Sequence, residues 1–225
     1  MNPGARLIVL GKQGAGKGTQ ALRLSHHYVV PHIATGDTFR SAVRSGSEFG
    51  TKAKSYLDAG DLVPDDIVIG VVTERLTHDD TTHRGFILDG FPRTVQQAEA
   101  LVDIVSPHQI DLVINLDIDN ETVLRRLAAR RVCSDCGANY SITDNPPRVR
   151  DICDVCGGEV VQRDDDTESA IRRRLELYER ETAPLISWYD QRDMLATLPA
   201  VGGPDEVTES VVTEVDRRQA PGPPG

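Results

Sequence analysis

Apolar residues in this chain gather in short runs between amphipathic stretches, a pattern that predicts strands and helices in alternation. Leu7-Ile8-Val9-Leu10 is too short for a helix and is bounded by glycines, so residues 6–10 read as a buried strand. Residues 85–89, 112–116 and 195–198 read the same way, and 31–35 as a short extended piece ending at Gly36-Asp37. Helical periodicity covers the segment after the first glycine-rich stretch to about Tyr28, then 38–45 and 48–59 with Gly46 between them. Pro64 followed by Asp65 and Asp66 is a helix start, with acids in the first turn, and that helix runs to about Thr77. Thr94-Val95-Gln96-Gln97 fits a capping box opening a helix to about Val105. Residues 121–131 are expected to form one helix. Another begins near Thr167, is interrupted at Ala183-Pro184 and resumes around Trp188, and 205–217 closes the pattern.

Five strands alternating with helices predict an α/β fold: a parallel sheet covered on both faces. Ligands on such sheets sit at the carboxyl ends of the strands. Residues 132–162 lose helical periodicity, and 219–225 are rich in proline and glycine and are expected to be disordered.

Composition narrows the picture. The 225 residues suffice for one buried core with inserts, and the aromatic fraction of 4% makes that core aliphatic. A net charge of -10 argues against a nucleic-acid partner, which needs a basic face. No apolar run approaches the ~20 residues of a membrane span. Met1-Asn2-Pro3-Gly4 leads straight into the first strand, so no membrane partner and a cytoplasmic location are expected.

Gly11-Lys12-Gln13-Gly14-Ala15-Gly16-Lys17-Gly18-Thr19 joins the first strand to the first helix. Strand, glycine-rich turn and a helix opening with lysine make a phosphate-cradling loop. Glycines let the backbone wrap an anion, the helix N-terminus adds unpaired N–H donors, and Lys17 adds a full charge. The hydroxyl that usually follows the lysine directly comes one residue later, at Thr19, because position 18 is glycine. Asp89 ends an apolar strand and is placed to hold magnesium. Asp89-Gly90-Phe91-Pro92-Arg93 then offers a glycine for close backbone approach and an arginine projected from a turn.

All four cysteines lie in two C-x-x-C pairs, Cys133/Cys136 and Cys153/Cys156, sixteen residues apart. That spacing points to a tetrahedral four-thiolate zinc site, which leaves no open position and is therefore structural. Its binding would contribute on the order of 10 kcal/mol to ordering a segment with little core of its own.

Three strings together, G-K-G-T at 16–19, Thr35-Gly36-Asp37 with Arg40, and D-G-F-P-R-T at 89–94, resemble the adenylate kinases, from Leu7 to about Pro204. The family usually has proline where Gln13 stands. The resemblance implies a P-loop NTPase-type core (1–33, 64–128 and 167–217) with an AMP-binding insert at 34–63. It also implies a zinc-binding lid at 129–166 and a disordered tail at 218–225. It implies an ATP site of Gly14, Ala15, Gly16, Lys17, Gly18, Thr19, Arg130, Asn139, Tyr140 and Gly202. It implies an AMP site of Thr35, Arg40, the backbone of Asp61-Leu62-Val63, Gly90, Phe91, Pro92, Arg93, Gln97, Arg163 and Arg174. Gln97 would read the adenine edge, although its capping position alone accounts for a glutamine. Catalysis falls to Lys17, Asp89, Arg93, Arg126, Arg130, Arg163 and Arg174. Arg126 and Arg130, four apart, would share a helix face toward the donor phosphates. Asp164 stands where the family usually has a basic residue.

The activity implied is reversible transfer of the terminal phosphoryl group of Mg-ATP to AMP, giving two ADP, by a monomeric enzyme. The cofactors are Mg2+ with ATP and a structural Zn2+. Alternatives are a kinase for UMP or CMP or with GTP as donor, and more distantly a zinc-ribbon nucleic-acid-binding ATPase.

Overall fold

The structure, a computed structural model, describes residues 4–44, 48–59, 61–163 and 166–219. The chain starts with strand β1 (Ala5–Gly11), the glycine-rich loop and helix α1 (Lys17–Tyr28), followed by β2 (His32–Ala34). Helices α2 (Thr35–Arg44), α3 (Glu48–Ala59), α4 (Asp65–Leu76) and the short α5 (Asp79–Thr82) come next. Then follow β3 (Gly85–Asp89), α6 (Val95–Val105), β4 (Leu112–Asp117) and α7 (Asn120–Ala129). Three short strands, β5 (Arg130–Cys133), β6 (Asn139–Ser141) and β7 (Val160–Val161), precede α8 (Glu168–Leu177). A π-helical turn (Tyr178–Thr182), α9 (Pro184–Asp190), β8 (Leu195–Pro199) and α10 (Pro204–Gln219) complete it.

The five expected strands form one parallel sheet in the order β2-β3-β1-β4-β8. Successive side chains on a strand point to opposite faces, which divides the core in two. Leu7 and Val9 of β1 pack with α1, α7, α8 and α10 on one face. Ile8 and Leu10 pack with α4, α6 and α9 on the other. Residues 132–162, which carry no helical signal, supply most of a separate antiparallel sheet ordered β6-β5-β7. Its apolar centre is small: Cys133, Tyr140, Cys153 and Val160.

Three expectations are corrected. The helix predicted over 121–131 stops at Ala129, and Arg130 turns extended (φ -65, ψ 139) to pair with Ser141. Pairing with β6 outweighs local helix propensity there, so Arg126 and Arg130 do not share a helix face. The extended piece expected over 31–35 ends at Ala34, and the helix expected from 38 begins at Thr35, directly after β2. Arg218 and Gln219 belong to α10 rather than to a tail, and Arg218 donates to the carbonyls of Asp193 (3.1 Å) and Leu195 (3.3 Å). Residues 220–225 lie outside the described residues.

Candidate active site

Register brings the chemistry-bearing loops together. Asp89, at the end of β3, pairs with Val9 of β1 on one side and Ala34 of β2 on the other. The glycine-rich loop leaves β1 two residues beyond Val9, and Thr35 follows Ala34 directly. Thr35 closes the gap by donating its hydroxyl to the carbonyl of Gly90 (2.9 Å). Gly90 has φ 81, and a Cβ there would meet Thr35 Oγ1 at 3.0 Å and Arg93 Nη2 at 3.1 Å.

Lys17 opens α1, and its ammonium donates to the carbonyls of Gly11 (2.8 Å) and Lys12 (2.9 Å), spanning the loop from within. Helix geometry leaves the first-turn N–H groups of Lys17, Gly18 and Thr19 without intrahelical acceptors, beside the loop formed by Gly14, Ala15 and Gly16. The Thr19 side chain is on the exposed side of this turn. Burial lowers the Lys17 pKa to about 8; Asp89 opposes that shift, while Arg93 and Arg130 add to it. A Cβ on Gly18 would come within 3.3 Å of Asp89 Oδ2, so a side chain there would need the carboxylate to shift by a few tenths of an ångström.

Burial alone would raise the Asp89 pKa, yet His32, Lys17 and Arg93 hold its carboxyl below the usual range. His32, which sequence reasoning missed, presents Nε2 3.6 Å from Asp89 Oδ2, close but too long for a good hydrogen bond. Its signal was only a histidine on a short strand.

The arginines converge from four elements. Arg93 is exposed beside Gly90, with Nε donating to the Gly90 carbonyl (2.9 Å). Arg126 of α7 donates to the carbonyls of Gly14 (3.3 Å) and Ala200 (3.0 Å). Arg130 of β5 grips Asp166 through Nε (2.7 Å) and Nη2 (2.5 Å), and Arg174 of α8 lies 3.9 Å from the same carboxylate. Thus Arg126 and Arg130 reach one region although the helix ends between them. The neighbours of Arg174 turn elsewhere: Arg172 pairs with Glu168, and Arg173 with Asp61 across to the 34–63 segment. Arg163 lies half-buried at the end of the 129–166 segment. The Arg40 side chain lies outside the described residues, as do Asp164 and Asp165.

Several expected contacts have other duties. Gln97 is 1% exposed; its amide donates to Asp65 Oδ1 (2.7 Å) and accepts from the Arg93 N–H (2.8 Å). Reading an adenine edge would require those bonds to be exchanged. Asp65, seen in the sequence only as a first-turn acid, also accepts from the Thr94 hydroxyl (2.8 Å). Phe91 is fully buried in the core, Pro92 is buried beside it, and Val63 also packs inward, so these residues face a ligand only through backbone. Leu62 is half-buried next to Val63. Asn139 is exposed on β6, whereas Tyr140 points into the cysteine cluster rather than toward the loop. Gly202 (φ 98) forms the exposed turn that enters α10.

The four cysteine sulfurs lie within 4.8 Å of one another. The closest pairs are Cys133–Cys156 at 3.5 Å and Cys136–Cys153 at 3.6 Å. Tetrahedral ligands about 2.3 Å from zinc stand about 3.8 Å apart, so the spacing fits such an ion. The Tyr140 hydroxyl accepts from the Asp154 N–H (2.8 Å) and donates to Cys153 Sγ (3.3 Å), which brings that thiol down to about 6. Although the Gly158 N–H favours its thiolate, Cys136 and Cys133 crowd Cys156 and push its pKa up. Mutual repulsion of this kind is what a bound cation relieves.

A family model described as adenylate kinase matches residues 9–194. The chain belongs to the adenylate kinase family. It is 45% identical over 213 residues to the adenylate kinase of Clostridium novyi (strain NT), covering 94% of this chain and 98% of that protein. Against the adenylate kinase of Methanocella arvoryzae (strain DSM 22066 / NBRC 105507 / MRE50) the identity is 47% over 208 residues, covering 92% and 96%. For that of Caldicellulosiruptor saccharolyticus (strain ATCC 43494 / DSM 8903 / Tp8T 6331) it is 49% over 199 residues, covering 88% and 91%. As an adenylate kinase the chain is a phosphotransferase with the P-loop NTPase fold of its family. Among the described residues no helix is long and apolar enough to cross a membrane.

Proposed function

We propose that this chain transfers the terminal phosphoryl group of Mg-ATP to AMP, giving two ADP, reversibly and without a covalent intermediate. The observation that carries the reading is the adjacency of Lys17, at the start of the helix that follows β1 and its loop, to Asp89 at the end of the neighbouring strand β3, with Arg93, Arg126, Arg130 and Arg174 gathered around them. A phosphoryl group in transit spreads charge over its oxygens, and fixed cations stabilise it without reorganising.

The glycine-rich loop, from Gly14 to Thr19, would hold the donor phosphates, with Lys17 following the migrating group. Arg126, Arg130 and Arg163 would neutralise the charge that develops. Arg40, Arg93 and Arg174 would grip the acceptor phosphate, which suits the guanidinium fork. Asp89 is the residue that would hold magnesium, whose charge neutralises the phosphate oxygens when bound. Thr35, Gly90, Gln97 and the backbone at 61–63 would shape the acceptor pocket between the core and the 34–63 insert. Residues 129–166 would act as the lid that excludes water, with Asn139 and the backbone of Tyr140 toward the donor nucleotide and Gly202 near its base.

Cys133, Cys136, Cys153 and Cys156 would hold a structural zinc, which is needed for the order of the lid and not for the transfer step. Cysteines grouped as ligands rather than paired as disulfides suit a reducing, cytoplasmic setting. We read the enzyme as a monomer whose partners are ATP, AMP and ADP, with no nucleic acid and no membrane.

A panel of nucleoside monophosphates with Mg-ATP, scored by the diphosphates formed, tests the reading. ADP from AMP, well above product from UMP or CMP, is expected. Free inorganic phosphate in place of ADP would refute it.

A further inference from the structure

Gln13 stands in the glycine-rich loop between Lys12 and Gly14, a position with no role so far. Its side chain reaches the arginine cluster. Arg174 Nη1 lies 2.6 Å and Arg130 Nη2 3.1 Å from one end of the amide. Both neighbours are donors, so that end is the oxygen, which has two lone pairs and can accept both bonds. The same atom lies 3.5 Å from Asp166 Oδ1, which two guanidinium donors outrank.

We propose that Gln13 is a positioning residue for phosphoryl transfer: its amide oxygen aims the guanidinium groups of Arg130 and Arg174 at the mouth of the phosphate loop. Two features of the geometry support this. First, Arg130 opens β5 and Arg174 belongs to α8, so Gln13 is one point on the loop that ties a side chain at the start of the 129–166 segment to one on the helix that follows it. Second, the acceptor is neutral. Asp166 also holds both arginines, but as a carboxylate it cancels charge that an incoming phosphate would use. An amide oxygen orients the same groups and leaves their charge available. Lys12, the residue before it, is itself anchored to Asn120 (2.8 Å) at the start of α7, which steadies the loop from the other side.

The proposal rests on the assignment of Arg130 and Arg174 to the transferring phosphates, and the test separates the two. Gln13→Met keeps the shape of the side chain and removes the acceptor. With the full chain, Mg-ATP and AMP, kcat is expected to fall about tenfold while both KM values stay within about twofold. Gln13→Ala repeats the loss, and a melting temperature within about 2 °C of the parent separates positioning from folding. Gln13→Glu restores an acceptor but adds the charge that the neutral amide avoids, so kcat recovers only in part and KM for ATP rises as the carboxylate repels the phosphates. In an Arg174→Met background, Gln13→Met should cost less than it does alone, since part of its route is already gone. An unchanged kcat in Gln13→Met, or the same loss in both backgrounds, overturns the proposal alone. Full turnover in Arg130→Met and Arg174→Met overturns the underlying assignment and the proposal with it.

Discussion

Arg130 holds Asp166 in a two-bond fork, 2.7 Å from Nε and 2.5 Å from Nη2, and the carboxylate is wholly buried. Removing one member of a buried pair leaves the other charge uncompensated, at a cost of about 3 kcal/mol. For a chain of this size the melting temperature of Asp166→Ala should drop by about 6–12 °C. A non-hydrolysable ATP analogue should recover part of that drop, because its phosphates replace the lost partner. Equal melting curves for parent and variant would show the fork to be idle.

Lys17 opens α1 and Arg93 lies on the turn after β3, where the geometry gathers positive charge. Lys17→Ala and Arg93→Ala should each lower kcat/KM by at least about a hundredfold, in line with removal of one preorganised donor. Steady-state assays beside circular dichroism check this. Near-normal turnover in either variant contradicts its assignment.

The Lys17 pKa, lowered by burial to about 8, makes the free enzyme sensitive to alkali. Below about pH 8 the ammonium is charged, and above it the charge is lost, so kcat/KM for ATP should decline beyond about pH 8. Stability moves the other way. An unfolded lysine keeps its proton to 10.5, so between the two values the unfolded chain binds more protons than the folded one. The ligand-free fold therefore gains stability from this group as pH rises through that window. Paired pH series of kcat/KM and of melting temperature check both signs; a kcat/KM that stays level to about pH 9.5 rules the assignment out.

A strong chelator should lower the melting temperature before it lowers activity at 25 °C, because the cysteine cluster leaves no coordination position for chemistry. Cys136→Ser should behave similarly. Activity lost with an unchanged melt would mean that the metal acts on the substrate.

The sheet was legible because its strands are short apolar runs, and three of them, β1, β3 and β4, close on a glycine or a carboxylate, a local signal. The loop, Asp89 and the Arg93 turn were legible for the same reason. What was not legible depends on partners far along the chain. The end of α7 at Ala129 is decided by pairing with Ser141. The involvement of Gln97 with Asp65 spans 32 residues, and the contact of His32 with Asp89 arises only because β2 lies beside β3. The resemblance alone puts Tyr140 near the nucleotide, and nothing local says that its hydroxyl faces a sulfur. Residue type named the chemistry; direction came from tertiary neighbours.

The pairing of Val9 with Asp89 has a wider meaning. A backbone ladder, not any surface segment, sets the gap between cradle and acid. On the proposed reading, drift in the 34–63 and 129–166 segments would retune which guests are admitted and leave that gap untouched. A methyl group on Gly18 would meet the Asp89 carboxylate at 3.3 Å, on the inner side of that gap. An engineer seeking new acceptors has wide latitude in those segments and almost none at the ladder's end.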